Sequence, residues 1–294
     1  MMPTRFALAL CCALLPGACG GDAEAGAAIL RFSAIPDQNS TELEEKYGRL
    51  ARHLAETLAV EVRYVPSSDY AASVAAFANG DVQLAWFGGL TGVRARAAVE
   101  GARAIAQGAV DPRFRSYFIA NAAAGVSASE SFPAELAGKT FTFGSESSTS
   151  GRLMPEYWIR RHTGLAPRDF FAGEEMSFSG DHAKTALLVQ DGTFEAGVLN
   201  YKVYEAMVAG GRIDPARCQI VWETPPYPDY NWTAHPDLER TFGAGFIERV
   251  RAALVGINDP ALLAALQREE GLIGASNEEF APLAALAREL DLLR

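Results

Sequence analysis

The stretch that decides the fold of this chain is GSESSTSG, residues 144–151. It lies between a strand-like segment, residues 139–143, and a segment that reads as a helix. The first N–H groups of a helix have no intrahelical acceptor and together carry about half a positive charge, so an anion binds there readily. A helix cap explains a single serine. This run has four consecutive hydroxyl side chains, and we predict that they bind a tetrahedral anion: Ser147, Ser148, Thr149 and Ser150.

The composition is that of a folded globular protein. The chain has 294 residues, of which 49% are hydrophobic and 21% charged. Its formal net charge of −10 argues against nucleic acid or an anionic membrane surface as the main partner. A nest of N–H groups acts over a few ångströms, whereas surface charge is screened over about 8 Å at physiological salt. An acidic protein can therefore still bind a small anion.

The N-terminus has the pattern of an export signal. Arg5 precedes an apolar run, residues 6–15, that is too short for a transmembrane helix. We predict a signal peptide over residues 1–18 and export to the periplasm or cell envelope. The residues before Cys19 resemble a bacterial lipobox, which favours lipidation of Cys19 over simple cleavage. Residues 19–28 read as a flexible tether, and Cys218 is then the one cysteine in the folded part.

The rest of the chain alternates strand and helix patterns. A strand over residues 29–35 is followed by apolar residues at helical spacing behind a Thr41/Glu44 capping box, and by an alternating strand over residues 60–65. The same order resumes in the second half of the chain. This pattern predicts an α/β fold with parallel strands, and the anion motif midway along the chain favours two lobes over one sheet.

Several short motifs in a fixed order carry a resemblance to a known family. They are AIPDQ (34–38), DY (69–70), GDVQLAW (80–86), LAGKT (136–140), SSTSG (147–151), SGDH (179–182) and EAG (195–197). The set resembles the phosphate/phosphite/phosphonate-binding family of ABC-transporter substrate-binding proteins. A further segment, residues 224–233, resembles a subgroup described as selenate-binding.

The resemblance implies a two-lobed periplasmic-binding-protein fold (type II, Venus flytrap). Lobe one would comprise residues 29–120 plus 226–294 and lobe two residues 121–225, with crossings near residues 120–125 and 224–226. The protein would bind a small oxyanion between the lobes and deliver it to an ABC permease in the membrane. We expect a monomer with no cofactor, no metal site and no enzymatic activity.

Further site residues are indicated by their positions after strands or at helix starts. Tyr70 follows a cap-like Asp69, and its hydroxyl would reach the ligand unless the ring only packs in the core. Phe87 and Gly88 end a strand, where α/β proteins place their ligands. The cleft rim would include four residues, for which capping or plain packing is the alternative: Gln38, Asn39, Tyr227 and Tyr230.

His182 bears on which anion is bound. The resembled family usually has an acidic residue after this histidine, where it accepts a hydrogen bond from a protonated phosphorus oxyanion; here Ala183 follows. Without that acceptor, a fully ionised selenate- or sulfate-like anion is favoured, and phosphite or phosphonate is the alternative. A structural role for His182 at the start of a helix also remains open.

Two other classes of function are alternatives: a secreted hydrolase and a sensory lipoprotein. A secreted hydrolase would need a nucleophile and base such as Ser148 and His182, but no Gly-x-Ser-x-Gly elbow surrounds the serines. A sensory lipoprotein on the same fold would lack transport partners. The four histidines have no metal-binding spacing.

Overall fold

The computed structural model describes residues 28–293. The predicted signal peptide, Cys19 and the tether up to residue 27 lie outside these described residues. Within them, no helix has the length and apolar character needed to cross a membrane.

Strands and helices alternate along most of the chain. The strands are β1 (Ile29–Ala34), β2 (Glu61–Tyr64), β3 (Leu84–Phe87), β4 (Arg103–Gly108), β5 (Ser116–Asn121), β6 (Thr140–Phe143), β7 (Ala172–Phe178), β8 (Ala196–Asn200), β9 (Cys218–Glu223), β10 (Asn231–Ala234) and β11 (Leu272–Gly274). The helices are α1 (Ser40–Leu58), α2 (Tyr70–Ala78), α3 (Gly89–Ala98), α4 (Met154–Thr163), α5 (Pro167–Phe170), α6 (His182–Gln190), α7 (Tyr201–Ala209), α8 (Asp237–Phe242), α9 (Phe246–Val255), α10 (Pro260–Ala265) and α11 (Ala281–Glu289).

The strands form two separate mixed sheets, one in each lobe. The first sheet has the order β11-β4-β10-β3-β1-β2, in which β2, β1 and β3 are parallel. The second has the order β7-β6-β8-β5-β9, in which β6 is parallel to both neighbours. Parallel neighbours need a crossover connection, and the helices provide it. The fold is therefore α/β in both lobes, as the alternating pattern predicts.

Helix α1 shows how the local sequence sets an element. Leu43, Tyr47 and Leu50 lie on its buried face, because residues three and four apart share one side of a helix. The cap is not the predicted Thr41/Glu44 box: the side chain of Asn39 accepts a hydrogen bond from the Thr41 N–H at 2.9 Å. Asn39, predicted at the cleft rim, thus caps the helix.

The chain crosses between the lobes in two adjacent segments. Phe114 and Tyr227 pair across them, with N–H to carbonyl distances of 2.9 and 3.0 Å. Strand β5 belongs to the second sheet, so the first crossing lies between Gly108 and Ser116, earlier than the predicted residues 120–125. The second crossing lies between Glu223 and Asn231.

Candidate functional site

The serine run forms a wide turn rather than the first turn of an α-helix. A π-helical turn covers Thr149–Leu153, and α4 begins only at Met154. Ser148 caps the turn: its Oγ accepts a hydrogen bond from the Gly151 N–H at 2.9 Å. A Cβ on Gly151 would lie 3.1 Å from the Cα of Gly144, so this close approach requires glycine.

The four hydroxyls of the run have different partners. The Ser147 hydroxyl accepts a hydrogen bond from Arg94 Nη1 of lobe one at 2.6 Å. Thr149 Oγ1 accepts one from the Leu90 N–H at the start of α3, at 3.0 Å. Ser150 Oγ lies 3.5 Å from Nε2 of His182. Ser147 and Thr149 therefore join the two lobes directly, whereas the Ser148 hydroxyl lies near Tyr70 and the Ser150 hydroxyl beside His182.

His182 is a buried, neutral hydrogen-bond donor. It is the first residue of α6, whose cap is Asp181, through a 2.7 Å bond from the Lys184 N–H. Nδ1 accepts a hydrogen bond from the Asn200 N–H at 3.3 Å, which assigns the ring proton to Nε2, the nitrogen beside Ser150. Burial lowers the pKa of His182 to about 4. The imidazole therefore offers an N–H without a positive charge at neutral pH.

Lobe one contributes two buried carboxyl groups, Asp37 and Asp229. Asp37 Oδ2 accepts a hydrogen bond from Tyr230 Oη at 2.8 Å, and Asp229 Oδ1 accepts one from the Gly89 N–H at 2.8 Å. The second oxygen of each carboxyl, Asp37 Oδ1 and Asp229 Oδ2, is buried without a hydrogen-bond partner among the described residues. Burial raises the pKa of Asp229 to about 7, against opposing hydrogen bonds from Gly89 and Thr149.

Tyr70 and Gly88 lie beside these groups. The Tyr70 hydroxyl is buried with Ser148 nearby, but no described atom meets hydrogen-bond geometry with it. Burial raises the pKa of Tyr70 well above its ordinary value, so it stays a donor. A Cβ on Gly88 would lie 3.2 Å from both Asp229 Oδ1 and Thr149 Oγ1, which places Gly88 at the border of the site.

Other predicted site residues have structural roles. Phe87 is fully buried with its ring edge-on to that of Phe77, 5.6 Å away, so it packs in the core of lobe one. Gln38 donates to Gln267 within the same lobe at 3.3 Å. Tyr227 lies at the crossing, where its hydroxyl is 2.5 Å from Ser116 Oγ. These positions follow from packing and hinge geometry, which strand and helix patterns do not reveal.

Tyr230, predicted at the rim, connects the lobes inside the site. Its hydroxyl accepts a hydrogen bond from Asn200 Nδ2 of lobe two at 2.9 Å and donates to Asp37 of lobe one. The backbone N–H of His182 also donates a hydrogen bond to the backbone carbonyl of Asp37 at 3.3 Å. The enclosed site thus has hydroxyl and imidazole donors on lobe two and carboxyl acceptors on lobe one. This arrangement is suited to a small anion that both accepts and donates hydrogen bonds.

Comparison with known proteins identifies the family. The profile described as "ABC transporter, phosphonate, periplasmic substrate-binding protein" matches residues 32–280. The chain belongs to this family. It is 34% identical over 272 residues to the "Probable ABC transporter phosphite binding protein PhnD1" of Prochlorococcus marinus, covering 90% of this chain and 91% of that protein. It is 31% identical over 234 residues to the "Phosphate-import protein PhnD" of Mycolicibacterium smegmatis, covering 74% of this chain and 71% of that protein.

Solved structures of the family have the same fold. The structure of Prochlorococcus marinus PhnD1 in complex with methylphosphonate matches with a TM-score of 0.84 and 34% identity, over 90% of this chain and 98% of that one. A phosphonate-transporter binding component from Pseudomonas aeruginosa matches with a TM-score of 0.76 and 19% identity, over 88% and 85% of the two chains. The predicted type II periplasmic-binding-protein fold is confirmed.

Membership of the phosphonate-binding family settles the class of function. Its members are substrate-binding proteins of ABC transporters and not enzymes, and they work with a membrane permease on a small ligand. The hydrolase alternative is excluded on this ground. The geometry agrees, because the His182 nitrogen that faces a serine hydroxyl, Nε2 beside Ser150, carries the ring proton and cannot act as its base.

The raised pKa of Asp229 predicts how stability depends on pH. The folded-state pKa, about 7, lies above the ordinary value of 3.8, so between these values unfolding releases a proton and stability falls as pH rises. We expect Asp229→Asn to remove this loss. In urea denaturation of the ligand-free proteins, the free energy of unfolding of the variant minus that of the parent should increase by about 2 kcal/mol between pH 5 and pH 7. A difference in unfolding free energy between variant and parent that stays constant from pH 5 to pH 7 would contradict the prediction.

Proposed function

We propose that this protein binds phosphite or a small alkylphosphonate between its lobes and delivers it to an ABC permease. The observation that carries the proposal is the pair of buried carboxyl oxygens without donors, Asp37 Oδ1 and Asp229 Oδ2. A buried acceptor left without a hydrogen bond costs about 1–3 kcal/mol. A ligand that brings its own hydrogen removes this cost.

Phosphorus oxyanions and the sulfate class differ in this respect. The monoanion of phosphite or methylphosphonate has a P–O–H group to donate, whereas selenate and sulfate are fully ionised at neutral pH. A fully ionised anion would bring its negative charge against unpaired carboxyl oxygens. This supports the phosphite or phosphonate alternative over the selenate- or sulfate-like ligand favoured from Ala183. The acceptor absent at position 183 is replaced from lobe one.

The relatives support the same ligand class. One relative is named as a phosphite-binding protein, and its solved structure holds methylphosphonate. The direct contacts between the lobes also favour a small ligand. They surround the site on several sides: Leu90 to Thr149, Asp37 to His182 and Tyr230 to Asn200.

Calorimetric titration with a panel of anions tests the proposal. The panel comprises phosphite, methylphosphonate, phosphate, sulfate and selenate at pH 7. We expect phosphite or methylphosphonate to bind at least about 100-fold more tightly than sulfate and selenate, because two acceptors are at stake. Tighter binding of sulfate or selenate would refute the proposal, as would no binding of any phosphorus oxyanion.

We also propose that the exported chain is a monomer anchored by lipid at Cys19. The proposal rests on the signal-like residues 1–18 and the lipobox-like sequence before Cys19. Fractionation of cells that express the full chain should place it with the membrane, and Cys19→Ala should release it. Membrane association that survives this substitution would contradict lipid anchoring; sedimentation of the released protein tests the monomer.

A further inference from the structure

A buried ion pair lies behind the site in lobe one. Arg268 is 4% exposed and follows α10. Its Nε and Nη2 atoms each donate to the Asp111 carboxylate at 2.8 Å, and Nη1 donates to the Gln267 carbonyl at 2.8 Å. Asp111 Oδ2 also accepts a hydrogen bond from the Gly108 N–H at 2.7 Å. The plane of the guanidinium is therefore fixed by bonds to several parts of the lobe.

The backbone around Arg268 is held in an uncommon conformation. Gln267 has a φ of 56°, in the left-handed region that residues other than glycine seldom adopt. The Arg268 N–H donates to the Leu263 carbonyl at 2.9 Å. Such a conformation persists only when its surroundings impose it, and here it directs the arginine inwards.

The guanidinium packs against the aromatic residues that border the site. Its carbon lies 5.2 Å from the ring centroids of both Trp86 and Tyr230. These two rings stack on each other, with centroids 5.4 Å apart and planes 23° apart. A planar guanidinium held by two hydrogen bonds is suited to support such a stack, whereas an ammonium group is not.

The supported ring carries hydrogen bonds between the lobes. Tyr230 Oη accepts from Asn200 of lobe two and donates to Asp37 of lobe one. Asp111 of the ion pair is also bonded to Asp229, the second acceptor residue: the backbone N–H of Asp229 donates to the backbone carbonyl of Asp111 at 3.1 Å. Both carboxyl acceptors of the site are thus connected to this one buried pair, Asp37 through Tyr230 and Asp229 through the backbone of Asp111.

We propose that Arg268 is a positioning residue for ligand binding: it fixes the Tyr230 ring and, through it, the hydrogen bonds that join Asn200 to Asp37 in the closed protein. The proposal rests on the proposed phosphonate function for its ligand. Arg268 acts through Tyr230 and makes no contact with the anion.

A double-mutant cycle tests this coupling. Arg268→Met is combined with Asp111→Asn, because removing the arginine alone would leave a buried carboxylate unpaired. The paired change and Tyr230→Phe should each weaken methylphosphonate binding by about tenfold. All three changes together should also weaken it by about tenfold in total, and not by about 100-fold, because the paired change and Tyr230→Phe act on one set of hydrogen bonds.

Three controls separate positioning from other effects. Arg249→Met removes another arginine that stacks on an aromatic ring, that of Phe246 at 5.0 Å, and should leave the affinity unchanged. Arg268→Lys keeps the charge but loses the planar fork, and should bind as weakly as the paired change. Urea denaturation of every variant separates lost affinity from lost folding.

The outcomes distinguish this proposal from the proposed function. Independent, multiplying effects in the cycle, or full affinity in Arg268→Lys, would overturn the role of Arg268 and leave the function standing. Failure of both phosphite and methylphosphonate to bind the unaltered protein would refute the function instead. In that case small-angle X-ray scattering of the ligand-free proteins tests the positioning role of Arg268. A more open average shape in the paired variant than in the parent supports this role, and an unchanged shape overturns it.

Discussion

Asp229→Asn is expected to cut the affinity ratio of methylphosphonate to selenate by about 100-fold. The amide has the size of the carboxyl, and its oxygen keeps the 2.8 Å hydrogen bond from the Gly89 N–H. The NH₂ group then takes the place of Oδ2 and becomes a fixed donor towards the ligand. A fixed donor favours a fully ionised anion and no longer accepts from a P–O–H group.

Calorimetric titration of both anions into the variant and the parent measures this ratio. Asp169→Asn provides a matched control, because Asp169 is a half-exposed carboxylate on α5 of lobe two. It should leave the ratio unchanged. An Asp229→Asn protein with the ratio of its parent would show that Asp229 does not select the ligand.

The combined change Ser148→Ala and Thr149→Ala is expected to weaken methylphosphonate binding by at least about 1000-fold. Ser148 provides a hydroxyl at the start of the π-helical turn, and its Oγ also caps that turn by accepting a hydrogen bond from the Gly151 N–H. The Thr149 hydroxyl oxygen accepts a hydrogen bond from the Leu90 N–H and thereby holds lobe one against the turn. The double variant loses both the donor and the contact between the lobes.

Ser147→Ala is the control for this prediction within the same run. Its hydroxyl is used by Arg94 at 2.6 Å, so its removal should weaken binding by no more than about tenfold. Thermal denaturation without ligand should show all variants folded. Equal losses for Ser147→Ala and the double variant would contradict the assignment of separate roles within the run.

The sequence predicts much of the scaffold because its signals are local. The buried face of α1 follows from helical spacing at Leu43, Tyr47 and Leu50, and the alternation of elements predicts the α/β class. The end of lobe one is placed too late, because β5 joins the second sheet through pairs such as Phe118 with Val198. Such a long-range pairing leaves no mark in the local pattern of a strand.

The sequence predicts the lobe-two side of the site and, on lobe one, Tyr70, Gly88 and Tyr230, but not the two carboxyl acceptors. Four consecutive hydroxyls and His182 are visible as motifs, whereas Asp37 and Asp229 are single acids in loops. Their function depends on burial and on a missing hydrogen-bond donor, which only the folded chain reveals. For Asp37, its position after the end of β1 is the signal in the sequence that suggests a site residue. Ala183 taken alone therefore favours a selenate- or sulfate-like anion, in contrast to the ligand proposed from the folded site.

Proton uptake on binding tests most directly the claim that the ligand shares a hydrogen with buried carboxyl groups. At pH 8 the Asp229 carboxyl is mainly ionised before binding, because its pKa is about 7. Free methylphosphonate is mainly the dianion at this pH. Calorimetric titrations at this pH, in buffers with different protonation enthalpies, should give an uptake of about one proton per methylphosphonate bound. No uptake, together with tight binding of selenate at the same pH, would contradict the claim.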